Sequence, residues 1–180
     1  ASNSATKSAT LKLSKATLLD TGNLVTVQNT GTINIEADES DTASGIVHVL
    51  DLAADKATTL VITGDAGLDL TSTGGSQDLA DVTSVDASGM VLGAATYTGL
   101  KYTATFNTNG NATTIKGSNG VDTIEGGVLT DDTVTLGAGA DVFKYEGGKD
   151  TVTGGAGADH YDIAADGTKA KHLVITDLAK

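Results

Sequence analysis

The C-terminal part of the sequence carries a nine-residue repeat, and this repeat constrains the fold more than any other feature. Aspartates recur at steps of 10, 9, 9 and 9 residues, and an apolar or aromatic side chain stands two residues after each. The aspartates are Asp122, Asp132, Asp141, Asp150 and Asp159, and the residues that follow them are Ile124, Val134, Phe143, Val152 and Tyr161. Such a unit divides into a turn and a short strand, and two units make one coil, so every second unit stacks at about 4.8 Å. The repeat therefore predicts stacked parallel strands with inward apolar residues and two turn-lined edges.

The two predicted edges differ in regularity. The first edge carries GSNGVD (117–122), LGAGAD (136–141) and GGAGAD (154–159), and the second carries GGVLTDD (126–132) and EGGKD (146–150). Stacking brings like-charged aspartates to about 5 Å, where their repulsion at a dielectric of 20 is roughly 3 kcal/mol per pair before screening. A cation between them is expected. Carboxylate and carbonyl oxygens suit the hard cation Ca²⁺ rather than zinc or copper.

Charge and composition exclude several classes of function. The formal net charge is −12, which repels nucleic acid and anionic membranes and suits either cation binding or solubility alone. The chain has no cysteine, so a disulfide framework and a thiolate metal site are both excluded. It has no tryptophan and few aromatic residues, so Val, Ile, Leu and Ala must build the core. No apolar run approaches the roughly 20 residues of a membrane span.

Short β-branched runs divided by Gly, Asn, Asp and Ser fill the rest of the chain and predict an all-β fold. Continuous apolar runs such as LVIT (60–63) are typical of strands covered on both sides. The best helical candidate is 76–82, with Ser76 as its cap. A shift toward Gly and Asp near residue 110 predicts three segments. These are a Thr/Ala-rich β-solenoid or sandwich-like region over 1–110, a roll over 111–165 and a capping strand within 166–180.

The segment GGAGADHYD (154–162) matches the calcium-binding nonapeptide of RTX proteins at every specified position. LGAGADVFK (136–144) misses only the first glycine, and GSNGVDTIE (117–125) misses the second. The chain therefore resembles an RTX protein over about 115–165. The resemblance implies a right-handed parallel β-roll that binds Ca²⁺ through aspartates and backbone carbonyls of two turns one coil apart.

Carried onto this chain, the resemblance implies two sites on the first edge, one between Asp122 and Asp141 and one between Asp141 and Asp159. Asp132 and Asp150 would frame a third site, which the irregular second edge puts in doubt, and Lys149 is a candidate to replace a cation there. The backbone ligands implied are Gly117, Asn119, Gly137, Gly139, Gly155 and Gly157.

The segments 56–75 and 79–99 resemble the Thr/Ala/Gly-rich strands that precede RTX repeats in bacterial surface-layer (S-layer) proteins, and VTSVDASG (82–89) is the best pointer. This resemblance implies a structural protein that is secreted by a type I system and self-assembles in a lattice on the cell surface. Parts outside this chain would bind cell-surface polysaccharide. Two alternatives stay open, a non-catalytic export domain of a type I-secreted enzyme and a calcium-dependent adhesin. No catalytic motif, zinc spacing or phosphate-binding loop is recognisable, so no enzymatic activity is expected.

Overall fold

The computed structural model describes residues 7–14, 24–39, 45–71, 77–107, 109–163 and 172–178. These residues form sixteen strands and one short 3₁₀ helix, η1 (Ala104–Phe106). The strands, in chain order, are β1 (Ser8–Ser14), β2 (Val25–Thr26), β3 (Thr32–Asp38), β4 (Val47–Val49), β5 (Leu52–Ala53), β6 (Thr59–Gly64), β7 (Gly67–Asp69), β8 (Ser84–Met90), β9 (Thr98–Thr103), β10 (Thr114–Lys116), β11 (Val121–Glu125), β12 (Thr133–Ala138), β13 (Val142–Tyr145), β14 (Thr151–Ala156), β15 (His160–Ile163) and β16 (Val174–Ile175). None of the described residues lies in a helix long and apolar enough to cross a membrane. The all-β prediction is confirmed.

The strands stack as a parallel β-solenoid with two main faces. The first sheet has the order β1-β3-β6-β8-β10-β12-β14-β16, and the second has the order β15-β13-β11-β9-β7-β4. Every paired strand in both sheets runs parallel to its neighbour. A short third ladder joins β2 to β5 and continues through a bridge between Ala53 and Asp78. The chain alternates between the two sheets, as the predicted half-coil units require.

The length of one coil changes along the stack. Thr32 pairs with Thr59, and Ser84 pairs with Thr114, so these N-terminal coils take 27 and 30 residues. Thr114 pairs with Thr133, which in turn pairs with Thr151, so the next two coils take 19 and 18 residues. The longer coils contain additional loops, and the third ladder is found among them. The predicted coil of two nine-residue units is confirmed for the C-terminal part.

An aliphatic ladder runs through the core of the first sheet. Its members face inward at one register position and are Ile33, Leu60, Val85, Ile115, Val134 and Val152, in order of stacking. All are at most 1% exposed. On the second sheet, Tyr102, Ile124, Phe143 and Tyr161 stack in the same way. The repeat residues predicted to point inward therefore do so, with Tyr161 half-buried at the end of the stack.

The composition change near residue 110 does not interrupt the solenoid. The first sheet passes directly from β8 to β10, and the second from β9 to β11. In the segment 166–180, the described residues 172–178 contain β16, which pairs with β14. The helix predicted over 76–82 is wrong in its described part, where Asp78 forms a β-bridge and Ala80–Asp81 a turn. Stacking of the coils outweighs the weak helical preference of that short segment.

Candidate functional site

The aspartates of the first edge stack in register, and each carboxylate accepts a hydrogen bond from the coil before it. Leu100 N donates to Asp122 Oδ1 at 2.5 Å, Asp122 N donates to Asp141 Oδ1 at 2.8 Å, and Asp141 N donates to Asp159 Oδ1 at 3.2 Å. The turns 117–122, 136–141 and 154–159 are therefore linked by a ladder of backbone-to-carboxylate bonds. The structure brings together the three aspartates that the sequence assigned to this edge.

The second edge repeats this geometry in spite of its irregular sequence. Thr113 N donates to Asp132 Oδ1 at 2.7 Å, and Asp132 N donates to Asp150 Oδ1 at 2.9 Å. Lys149 has an exposed side chain, and its backbone N–H donates to Asp131 Oδ1 at 2.8 Å. The extra residue in the first turn and the missing one in the second leave the two aspartates in register.

Four of the five repeat aspartates are buried, with Asp122, Asp141 and Asp150 at 0% exposure and Asp132 at 1%. Burial disfavours the ionised form, because the surroundings solvate charge poorly. It raises the pKa of Asp122 to about 6 and the pKa values of Asp141 and Asp150 to about 7. Neighbouring carboxylates add to this at the last two, where Asp122 and Asp159 flank Asp141. The interior of each edge thus holds carboxylates that need compensating charge or a proton at neutral pH.

The second oxygens of these carboxylates fall into two classes. Asp122 Oδ2 accepts bonds from Ser118 N at 2.8 Å and Ser118 Oγ at 3.2 Å. Asp132 Oδ2 accepts bonds from Gly127 N at 2.8 Å and Thr130 Oγ1 at 3.0 Å. In contrast, Asp141 Oδ2 and Asp150 Oδ2 are buried with no hydrogen-bond partner. A buried carboxylate oxygen without a partner carries a desolvation penalty, so these two positions fit a cation.

Glycines shape the turns that follow the first one. In the turn 136–141, Gly137 has φ 118°, and in the turn 154–159 the matching Gly155 has φ 100°. A Cβ atom on Gly137 would strike the carbonyl oxygen of Ser118, and one on Gly155 would strike that of Gly137. Carbonyl oxygens of one turn therefore lie directly against the backbone of the next. This crowding of oxygens at the edge is the arrangement that a hard cation favours.

Within the described ranges, no three His, Asp or Glu side chains gather as a metal-ligand cluster. Side chains alone therefore make no complete site there, and carbonyl oxygens would have to complete any ligand set. The residues predicted as backbone ligands are distributed over the three turns of the first edge: Gly117 and Asn119, then Gly137 and Gly139, then Gly155 and Gly157. The Asn119 side chain is engaged elsewhere, since its amide exchanges bonds of 2.8 and 3.2 Å with the backbone of Leu92.

Sequence reasoning missed a further carboxylate at the C-terminal end of the first edge. Asp177 accepts bonds from Gly154 N at 2.9 Å and Gly155 N at 2.6 Å. With Asp159 and Tyr161 it lines a cavity of about 390 Å³. Burial, followed by the charges of Asp177 and Asp159, raises the pKa of the Tyr161 hydroxyl. Asp177 lies outside the nine-residue register, so the repeat itself contained no signal for it.

Ser118 and Thr130 were also missed as functional side chains. Ser118 stands where the nonapeptide has its second glycine, and Thr130 lies two residues before Asp132. The departure from glycine at 118 was the available signal, although it looks like a loss of the motif rather than a new contact.

The chain matches no protein-family model, and no curated protein matches it.

Proposed function

We propose that this chain is a calcium-binding structural segment of a secreted cell-surface protein of the RTX S-layer type, in which Ca²⁺ drives folding and lattice assembly. The observation that carries the proposal is the pair of buried carboxylate oxygens, Asp141 Oδ2 and Asp150 Oδ2, that have no hydrogen-bond partner. Among the described residues, no lysine pairs with either carboxylate. A divalent cation would supply the charge that is otherwise lacking.

The ligands available to such an ion are all oxygens. On the first edge they are the carboxylates of Asp141 and Asp159 and the carbonyls of the glycine turns, and on the second edge the carboxylate of Asp150. Bound Ca²⁺ would neutralise the stacked carboxylates and crosslink adjacent coils. Oxygen-only sets of this kind bind calcium with dissociation constants near 10⁻⁴–10⁻³ M in extracellular modules.

This affinity range connects the site to export. Where calcium is scarce, the buried carboxylates destabilise the stack, and the C-terminal coils stay unfolded. At about millimolar calcium, binding to the folded state alone supplies folding free energy. The proposed role is therefore a structural element that folds after secretion, on the cell surface, and associates with further copies of itself.

The direct test is circular dichroism and thermal melting of the protein in EGTA and then after addition of Ca²⁺. We expect a gain of β-signal and a higher melting temperature with calcium. The double variant Asp141→Asn/Asp150→Asn should lose most of this response, because it removes the charge but keeps an acceptor for the preceding coil. Asp55→Asn, at an exposed turn aspartate that accepts a bond from Asn29 N, is the matched control. An unchanged spectrum and melting point in the wild type would refute calcium binding.

Lattice formation needs a separate measurement. Electron microscopy of the protein with and without Ca²⁺ should show ordered two-dimensional sheets only with the ion. Glycan binding without assembly would favour the adhesin. A catalytic motif upstream in a longer chain would favour the export domain of an enzyme.

A further inference from the structure

We infer that the row of calcium ions on each edge begins one coil later than the row of aspartates. The first turn of each edge, 117–122 and 126–132, is closed by a protein hydroxyl and folds without an ion. Ser118 closes the first edge, and Thr130 closes the second. This inference rests on the proposed calcium function and adds where the ions start.

On the first edge, Ser118 saturates the carboxylate of Asp122. Its N–H donates to Oδ2 at 2.8 Å, and its hydroxyl lies 2.9 Å from Oδ1 and 3.2 Å from Oδ2. Leu100 N supplies a further bond to Oδ1. The hydroxyl oxygen also accepts a bond from Gly120 N at 3.0 Å, which aligns the turn around the carboxylate. Both oxygens of this buried carboxylate are therefore occupied by donors of the protein itself.

On the second edge, Thr130 performs the same task with a different spacing. Its hydroxyl donates to Asp132 Oδ2 at 3.0 Å, Gly127 N donates to the same oxygen, and Thr113 N donates to Oδ1. Ser118 lies four residues before its aspartate, whereas Thr130 lies two residues before. Two different local sequences thus give the same saturated carboxylate at the same level of the stack.

One coil later, both hydroxyls are replaced by glycine. Gly137 occupies the position of Ser118 relative to Asp141, and Gly148 occupies that of Thr130 relative to Asp150. These are the two aspartates whose Oδ2 atoms have no partner. The loss of the hydroxyl and the unsatisfied oxygen therefore coincide on both edges.

The backbone of the first turn differs as well. Among the described residues, Gly137 and Gly139 have φ values of 118° and 144°, whereas Ser118 and Gly120 are not in the positive-φ region. A turn built around a serine hydroxyl and a turn built around an ion need not share a conformation. The ion-free first turn would then present a finished surface, stacked on the Leu- and Ile-rich coils, on which the calcium-dependent coils assemble.

Hydrogen exchange of the full chain, followed by mass spectrometry with and without Ca²⁺, tests the inference in the wild type. Amides of 98–125 should be protected in both conditions. Amides of 136–163 should exchange at least about 100-fold faster without calcium, because their coils open. Equal calcium dependence of 117–125 and 136–163 would overturn the inference while leaving calcium binding intact. Absence of any calcium effect would overturn both proposals.

The variant Ser118→Gly completes the glycine pattern and removes the hydroxyl. It should bind one more Ca²⁺ than the wild type by equilibrium dialysis, and 117–125 should lose about tenfold or more of their calcium-free protection. Ser118→Ala removes the hydroxyl alone, so it should lose protection without gaining an ion. Ser84→Ala, on the outer face of β8, is the control and should change neither quantity. An unchanged ion count and unchanged protection in Ser118→Gly, with calcium still bound by the wild type, would defeat this inference only.

Discussion

The N-terminal coils (7–107) and the C-terminal coils (109–163) share two sheets but satisfy their turns in different ways. In the N-terminal coils, neutral amide side chains bridge successive turns. Gln77 accepts a bond from Leu52 N at 2.8 Å and donates to the carbonyls of Leu50 and Leu70 at 2.9 and 3.0 Å. An amide offers both donors and acceptors, so one side chain completes the bonding of several backbone groups without charge.

In the C-terminal coils, aspartates take over this role. An ionised carboxylate only accepts hydrogen bonds, so it can cap the N–H of the coil before it but supplies no donor and buries a charge. Where a hydroxyl assists, as at Asp122, the carboxylate is saturated. Where none does, as at Asp141, an oxygen is left over. The comparison shows how short coils with small cores acquire a need for an external cation.

The junction between the two regions is made by neutral groups. Asn107 is buried and donates to the carbonyl oxygens of Val82 and Asn111 at 2.9 and 2.8 Å, and it accepts a bond from Asn111 N. It holds the loop between η1 and β10 against the preceding coil. The change from amide to carboxylate therefore follows directly after a satisfied junction.

The largest expected effect separates the two cores. Leu60→Ala should destabilise the N-terminal coils by about 2–5 kcal/mol, because it opens a cavity in a fully buried ladder. The loss should be equal with and without calcium. Val152→Ala removes less buried volume and should cost about 2 kcal/mol, measurable only with calcium. Native-state hydrogen exchange reports both values, and a calcium-dependent cost for Leu60→Ala would contradict the division into two regions.

The next effect concerns the glycine turns of the C-terminal coils. Gly137→Ala should cost about 3 kcal/mol or more, since the residue has φ 118° and its new Cβ would strike the carbonyl of Ser118. Gly110→Ala is the matched control. Its φ is 69° and nothing lies within 4 Å of the added atom, so the cost should be about 1 kcal/mol. Urea unfolding in calcium compares the two, and equal costs would show that contact between turns is unimportant.

Gln77→Ala probes the neutral bridges of the N-terminal coils. It leaves the N–H of Leu52 and the carbonyls of Leu50 and Leu70 without their partner, so we expect a loss of about 2 kcal/mol. The loss should be the same in EGTA and in calcium. A loss that appears only in calcium would mean that the N-terminal coils also depend on the ion.

The two regions should respond to pH with opposite signs. In the metal-free protein, burial raises the pKa of Asp141 and Asp150 from 3.8 to about 7, so the folded C-terminal coils bind more protons than the unfolded chain between about pH 4 and 7. Their stability is therefore present at low pH and is lost as the pH rises through 7. The melting temperature in decalcified buffer should fall by a few degrees over this range.

Asp86 in the N-terminal coils has the reverse behaviour. Burial opposes its ionisation, but hydrogen bonds from Ser88 and Lys116 hold its pKa below the ordinary value. Its contribution is present above pH 3.8 and is lost as the pH falls through the lowered pKa. Hydrogen exchange resolved by region measures both trends, and parallel trends in the two regions would contradict this prediction.

The smallest effect is expected at the outer surface of the junction. Lys116 on β10 pairs with Asp86 on β8 at 3.0 Å, but their side chains are 54% and 33% exposed. Lys116→Ala should therefore cost less than about 0.5 kcal/mol in a urea titration at physiological salt. A cost above about 1 kcal/mol would mean that charge pairing, rather than the aliphatic ladder, couples the two regions.

The C-terminal fold could be predicted because its rule is local and periodic. An aspartate every nine or ten residues with an apolar partner two positions later specifies strand, turn and inward face together, and Phe143 and Val152 lie as the period requires. The N-terminal coils have steps of 24 to 30 residues, so no fixed period indicated that they stack on the same sheets. The short strands β2 and β5 were expected to be longer for the same reason.

By itself the sequence determined the all-β class, the coil length of the repeat and the identity of the aspartates that share an edge, because these depend only on spacing. Tertiary structure decided which carboxylates are saturated and which are not. Ser118, Thr130 and Asp177 reach their partners through turn conformation and through stacking of distant segments, as when Asp177 meets Gly154 and Gly155. Hydrogen-bond saturation is a three-dimensional property, and a repeat pattern in one dimension does not contain it.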